Sequence, residues 1–197
     1  MNRLTKILTA LAITFGCLAV SAPPADAAPS YNTWRTDVIY IQDTTSHLKG
    51  KDGRERWPVR EAARLWGHSS PLHFVYGTSP CTHRSQCVVV KEVTMPRTTT
   101  GTASTTWWSD GTIRGLDNGT RPAEVRLASW WGKEVDYRTR QKTACHELGH
   151  ILGLAHRDHA TRNRDKSCMV GGTGATHYRP TAADYRLVKT MYSANRG

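Results

Sequence analysis

Hydrophobic residues fall into short, separable blocks along the 197-residue chain, and their spacing changes from block to block. Thr36 to Gln42 contains Val38-Ile39-Tyr40-Ile41, a β-branched and aromatic run that predicts a first strand. Trp57 to Trp66 places Val59, Ala62, Ala63 and Trp66 on one side of a helix, with Pro58 in its first turn. Leu72 to Tyr76 and Cys87 to Val93 predict further strands, the second rich in β-branched residues. Pro96 to Thr120 is Thr-, Gly- and Asp-rich, and within it Ala103 to Trp108 is a candidate edge strand. Ala123 to Ser129 alternates Val125 and Leu127 with charge, as a half-buried strand would. Arg138 to Leu152 predicts a helix whose apolar stripe is Ala144, Leu148, Ile151 and Leu152. Thr181-Ala182-Ala183-Asp184, after Pro180, opens a last helix with a start like a capping box. Its apolar positions include Tyr185, Leu187, Val188, Met191 and Tyr192.

The N-terminal residues follow a different pattern. Arg3 and Lys6 precede an uncharged, mostly apolar run from Ile7 to Val20, and Ala25-Asp26-Ala27 offers a small-residue cleavage site. This is the organisation of an export signal over residues 1–27, so the mature chain is expected to begin at Ala28 and to be secreted to the extracellular space. The apolar run is short for a membrane span and nothing later is apolar enough for one, so no membrane anchor is expected. Cys17 has Thr14 where a lipoprotein signal wants leucine, and is expected to be removed with the leader. Residues 28–197 suit one domain, without repeat or low-complexity tail, and a monomer is expected. Four of the five cysteines remain, and an even count in an exported chain argues for two disulfides out of three pairings. Cys81 and Cys87 would close a small local loop.

The formal charge is +11, and losing Arg3, Lys6 and Asp26 leaves +10. Such a balance suits an acidic surface or polymer as a partner. No arginine-rich block or aromatic platform is present, so no specific nucleic acid is expected to bind.

The chemistry is concentrated in His146-Glu147-Leu148-Gly149-His150-Ile151-Leu152-Gly153-Leu154-Ala155-His156, which spells H-E-x-x-H-x-x-G-x-x-H. Histidines four apart share a helix face, so His146 and His150 can present imidazoles to one metal ion. Glu147, one step round, can reach a water there without taking a ligand position, as a catalytic base does. Gly153 can adopt the left-handed conformation that ends a helix, turning the chain so that His156 swings back. Three neutral imidazoles and a water make an open tetrahedral Zn2+ site. Cys145 lies on another helix face and is not expected as a ligand.

This extended motif resembles that of the metzincin metallopeptidases, with flanking sequence most similar to the matrixin branch. The resemblance implies an α+β catalytic domain over residues 28–197. Its features would be a twisted mixed sheet of four or five strands, three helices and an active-site cleft over the zinc helix. It also implies a methionine in a tight turn beneath the metal, for which Met169 is the candidate, followed by Gly171 and Gly172. With that turn under the zinc helix, Cys145 and Cys168 would be close and would form the second disulfide beside Cys81–Cys87. The implied activity is that of a zinc endopeptidase acting on a protein or peptide substrate laid along an edge strand, with Ala103 to Trp108 the candidate.

The chain departs from the pattern in two places. The run from His156 to Met169 is Arg- and Asp-rich and longer, and no tyrosine directly follows the methionine turn, Tyr178 being the substitute on offer. Ala28 to Arg35 contains no cysteine and is short for a pro-domain, so activity on export, or restraint by a separate inhibitor, is expected.

Other residues admit bland readings. Asp110 and Asp117-Asn118-Gly119 could hold Ca2+, though Asp and Asn are also ordinary turn residues. Asn118-Gly119-Thr120 is a glycosylation sequon only in a source that glycosylates. Trp107-Trp108 and Trp130-Trp131 could line a cleft or fill the core. His47, His68, His73, His83, His159 and His177 lack the spacing of a second metal site. Two other functions fit the same motif: a zinc amidase acting on cell-wall peptides, and a secreted binding module stapled by zinc. The intact Glu147 speaks against the second, since a structural site needs no base.

Overall fold

The computed structural model describes residues 33–45, 48–68, 70–82, 86–107, 112–114, 123–157, 166–172 and 177–194. The first strand, β1 (Val38–Asp43), lies inside a five-stranded sheet between β2 (His73–Gly77) and β3 (Cys87–Val93). All three run parallel, and β3 continues the parallel set into β7 (Ala123–Ala128). The strand β4 (Gly101–Ser104) adds antiparallel to β7, giving the order β2-β1-β3-β7-β4. The coarse class is therefore α+β with a mixed five-stranded sheet. β3 has parallel neighbours on both sides, which explains its unbroken valine run. In β1, Ile39 and Ile41 are fully buried while Val38, Tyr40 and Gln42 are half-buried, the period of two expected of a pleated strand. Asp43 ends that strand buried, its carboxylate accepting from Thr45 N, Thr45 Oγ1 and Tyr76 Oη at 2.7 Å each. Three donors compensate the loss of water around the carboxylate.

The stretch expected to be one edge strand, Ala103 to Trp108, is divided. Gly101–Ser104 pairs with β7, whereas β5 (Thr106–Trp107) leaves the sheet to pair with β6 (Ile113–Arg114). The Thr-rich run has no apolar alternation to signal where one ladder stops and the next begins. The strand expected to extend to Ser129 stops at Ala128, because Ser129–Glu134 forms a short helix, α2. There are thus four helices among the described residues rather than three. A six-residue helix is too short to show a 3.6-residue period. α2 is fixed instead by Gly132, where a Cβ would come within 2.7–2.8 Å of Arg56 and Trp57 side chains.

α1 (Val59–Gly67) buries Val59, Ala62, Ala63, Leu65 and Trp66, and packs against β2 and against α3 (Tyr137–Ile151). α3 in turn lies on β4 and β7. Its stripe of Ala144, Leu148, Ile151 and Leu152 is buried as expected. Asp136 caps α3, accepting from Thr139 N at 3.1 Å and Thr139 Oγ1 at 2.7 Å. α4 (Ala182–Ala194) opens on a reciprocal cap: Asp184 Oδ2 accepts from Thr181 N, and Asp184 N donates to Thr181 Oγ1. Tyr185 Oη donates to Leu65 O and Tyr192 Oη to Leu152 O, which ties α4 to α1 and to the end of α3. No helix among the described residues is long and apolar enough to cross a membrane.

Candidate metal centre

The helix α3 carries His146 and His150 on one face, and its C-terminus decides where His156 goes. Gly153 has φ +90°. Gly153 N donates to His150 O at 2.9 Å and Leu154 N to Gly149 O at 3.2 Å, a complete Schellman ending. The reversed chain brings His156 back. The three imidazole ring centres lie 4.6, 4.7 and 4.8 Å apart, nearly an equilateral triangle. One ligand atom from each falls within 4.8 Å of the others, so the group could hold a metal ion.

The tautomers follow from the partners. His146 Nδ1 donates to Cys168 O at 2.8 Å, and His150 Nδ1 donates to Leu154 O at 2.7 Å. A carbonyl only accepts, so each Nδ1 carries the proton and each Nε2 of a neutral ring bears a lone pair. Those two Nε2 atoms face one another at 3.1 Å. Two lone pairs at that distance repel; a cation shared between them turns the same geometry into attraction. Tetrahedral coordination with metal–nitrogen bonds of about 2.0–2.1 Å separates two nitrogens by about 3.4 Å, close to what is seen. Burial pushes the His146 imidazole down to about 4, reinforced by His150 nearby, and burial lowers His150 as well. Both rings are therefore held neutral, the form that ligates metals.

The floor of the centre is built by residues far away in sequence. Cys145 and Cys168 are bridged, as are Cys81 and Cys87, with 6.1 Å between Cα atoms in each pair. The first bridge anchors the chain at the carbonyl that orients His146. Met169 is fully buried beneath the helix, and a Cβ on Gly149 would land on its Sδ. Met169 N donates to Ser167 Oγ at 2.9 Å, and Arg157 N donates to Met169 O at 3.2 Å, so the turn also holds the chain at Arg157, next to His156.

A cavity of about 280 Å³ opens beside the histidines, lined by His146, His156 and Glu147 together with Lys142, Trp131 and Gly172. Glu147 is 6% exposed, and burial raises its carboxyl to about 8. It fits because Gly101 lies over it: a Cβ there would approach Glu147 Cγ and Oε1 to 2.9 Å. The chain entering β4, from Thr98 to Gly101, also lines the cavity.

Several expected residues lie elsewhere. Tyr178 is approached by the guanidinium groups of Arg138 and Arg179, at 5.5 and 5.3 Å, and does not line the cavity. Trp131 is a cavity wall, its Nε1 donating to Thr143 Oγ1 at 3.1 Å, while Trp130 Nε1 donates to Pro96 O. The calcium candidates Asp110, Asp117 and Asn118, together with Trp108, His47, His83 and His159, lie outside the described residues. Four contributors escaped sequence reasoning: Gly101, Gly149, Lys142 and the helix cap Asp136. For Gly149 a signal existed, since a glycine inside a helix is unfavourable unless something packs closely against it. Comparison with protein-family models and with curated proteins gives no match for the chain.

Proposed function

We propose that the protein is an exported zinc endopeptidase of the metzincin type. One observation carries this reading: two lone-pair-bearing Nε2 atoms 3.1 Å apart are completed by His156, and His146 and His156 line one cavity with a buried carboxyl. A donor set of three imidazoles suits zinc, and three protein ligands leave the fourth tetrahedral position open. Zinc bound there would supply Lewis-acid polarisation of a peptide carbonyl and a lowered pKa for the attacking water.

The chain's own residues do the rest. Cys168 O and Leu154 O hold His146 and His150 in the ligating tautomer. A metal cation held by the imidazoles would favour the ionised form of Glu147, which burial alone disfavours. The Glu147 carboxylate takes a proton from the water as its oxygen bonds to the carbonyl carbon. It then delivers that proton to the amide nitrogen as the carbon–nitrogen bond breaks. β4 is one of the two edge strands of the five-stranded sheet and its Gly101 borders the cavity, so an extended substrate can add to it through backbone hydrogen bonds. The two disulfides suit an oxidising compartment, which fits export.

The test compares wild type with Glu147→Gln for zinc content and for cleavage of a generic unfolded protein. One zinc in both and cleavage by wild type alone is the expected result. Cleavage by the variant at the wild-type rate would remove Glu147 from the mechanism. Zinc in both with cleavage by neither would favour a cell-wall amidase or a binding module.

A further inference from the structure

The geometry points to Lys142 as the residue that selects the substrate, by binding a substrate carboxylate next to the cleaved bond. This rests on the peptidase reading and adds to it the chemical class of substrate. Lys142 precedes His146 by four residues, so it stands one turn away on the same face of α3, about 5–6 Å between Cβ atoms. It is 6% exposed, and it lines the same cavity as His146, Glu147 and His156. Its Nζ donates to Gly172 O, where the chain leaves the methionine turn with φ +96°. That contact holds the ammonium at the cavity wall.

The cavity around it is polar, and Lys142 is the one lysine or arginine among its described lining residues. Thr139 and Thr143 flank Lys142 along the helix, and Thr98, Thr99 and Thr100 also line the cavity. Glu147 is the one acid among the described lining residues. The ammonium is a compact charge on a flexible stem, largely removed from water. An anionic group entering the cavity meets a desolvated cation, where a charge-assisted hydrogen bond is stronger than in water. An apolar side chain would instead bury that cation further and offer it no additional acceptor. An extended peptide advances about 3.3 Å per residue, so the group that reaches Lys142 belongs to a residue within about two of the bond attacked beside His146.

A carboxylate can come from an aspartate or glutamate side chain, or from a free C-terminus close to the cleaved bond. Two sets of internally quenched peptides separate these sources. One set varies each position flanking the cleaved bond through Glu, Gln and Leu, with both ends blocked. The other ends one or two residues beyond that bond as free acid or as amide. In the zinc-loaded wild type, kcat/KM for the carboxylate member of one set should exceed its amide partner roughly tenfold or more, chiefly through KM. The set in which this appears identifies the source. In Lys142→Met that ratio should fall to near one, and Lys142→Arg should restore most of it; circular dichroism and zinc content establish that each variant is folded.

If neither set shows a preference in wild type, the inference is wrong, whatever the variants do. A preference that survives in folded Lys142→Met also overturns it. Wild type that loads zinc but cleaves no peptide in either set overturns the peptidase reading itself, an outcome distinct from cleavage without preference.

Discussion

Gly149 sits in the interior of α3, where glycine is about 1 kcal/mol less favourable than alanine. Its missing side chain is nonetheless what lets the helix lie on Met169 Sδ, with Trp66 Cζ2 2.8 Å from where a Cβ would be. Trp66 is itself held, its Nε1 donating to Cys145 O at 2.8 Å, so it cannot simply withdraw. Gly149→Ala should gain helix propensity but lose more to overpacking, for a net destabilisation of about 1–2 kcal/mol. The methionine is the softer neighbour, because a thioether on an unbranched chain adapts. Shortening it should therefore relieve the clash. In urea unfolding, Gly149→Ala with Met169→Ala should be destabilised by less than the sum of the two single changes. Strict additivity would mean that the glycine is not there for the methionine.

At the scale of elements, the end of α3 matters more than its middle. The Schellman ending does two things: it turns the chain toward His156, and it exposes Leu154 O to His150 Nδ1. Gly153→Ala would place a Cβ on a backbone at φ +90°, at about 1–2 kcal/mol. The expected outcome is a protein that still folds but holds zinc at least several-fold more weakly, measured by competition with a chromogenic chelator. Unchanged zinc affinity would show that His156 reaches its place without the left-handed residue. This element was legible in the sequence because everything it needs is local: an i, i+4 pair, a glycine three residues later and a stripe of Ala144, Leu148 and Ile151. The cap at Thr181 and Asp184 was legible for the same reason. Gly101, Lys142 and the division of Ala103 to Trp108 were not. Gly101 meets Glu147 from 46 positions away, and Lys142 gains its meaning from Gly172, 30 positions on. No pattern of hydrophobic period records such contacts, because they depend on how the sheet and the helix meet.

At the scale of the whole molecule, a buried cation ties together segments 88 positions apart. Arg140 is fully buried in the first half of α3, and its guanidinium donates twice to Asp52, at 2.7 and 2.9 Å, and to Val135 O at 2.9 Å. This fastens the segment between β1 and α1 to the junction of α2 and α3. The fit is close, since a Cβ on Gly50 would land on the guanidinium. A buried guanidinium deprived of its carboxylate is strongly unfavourable, so Asp52→Asn should destabilise the fold by about 2–3 kcal/mol at pH 7, the carbonyl contacts limiting the loss. The pH dependence has a definite sign. The Arg140 hydrogen bonds lower the Asp52 carboxyl below its ordinary value of 3.8, so the folded state binds that proton less readily than the unfolded chain does. Its contribution is therefore complete above about pH 4 and is lost as the pH falls through the depressed folded value. Urea unfolding of wild type and Asp52→Asn should show a constant gap from pH 7 down to about pH 5. The gap should then narrow as the solution is made more acid, because the wild type alone loses this ion pair. A gap that widens in acid, or that is absent at neutral pH, would mean that Arg140 is held by its carbonyl partners and that Asp52 is incidental to it.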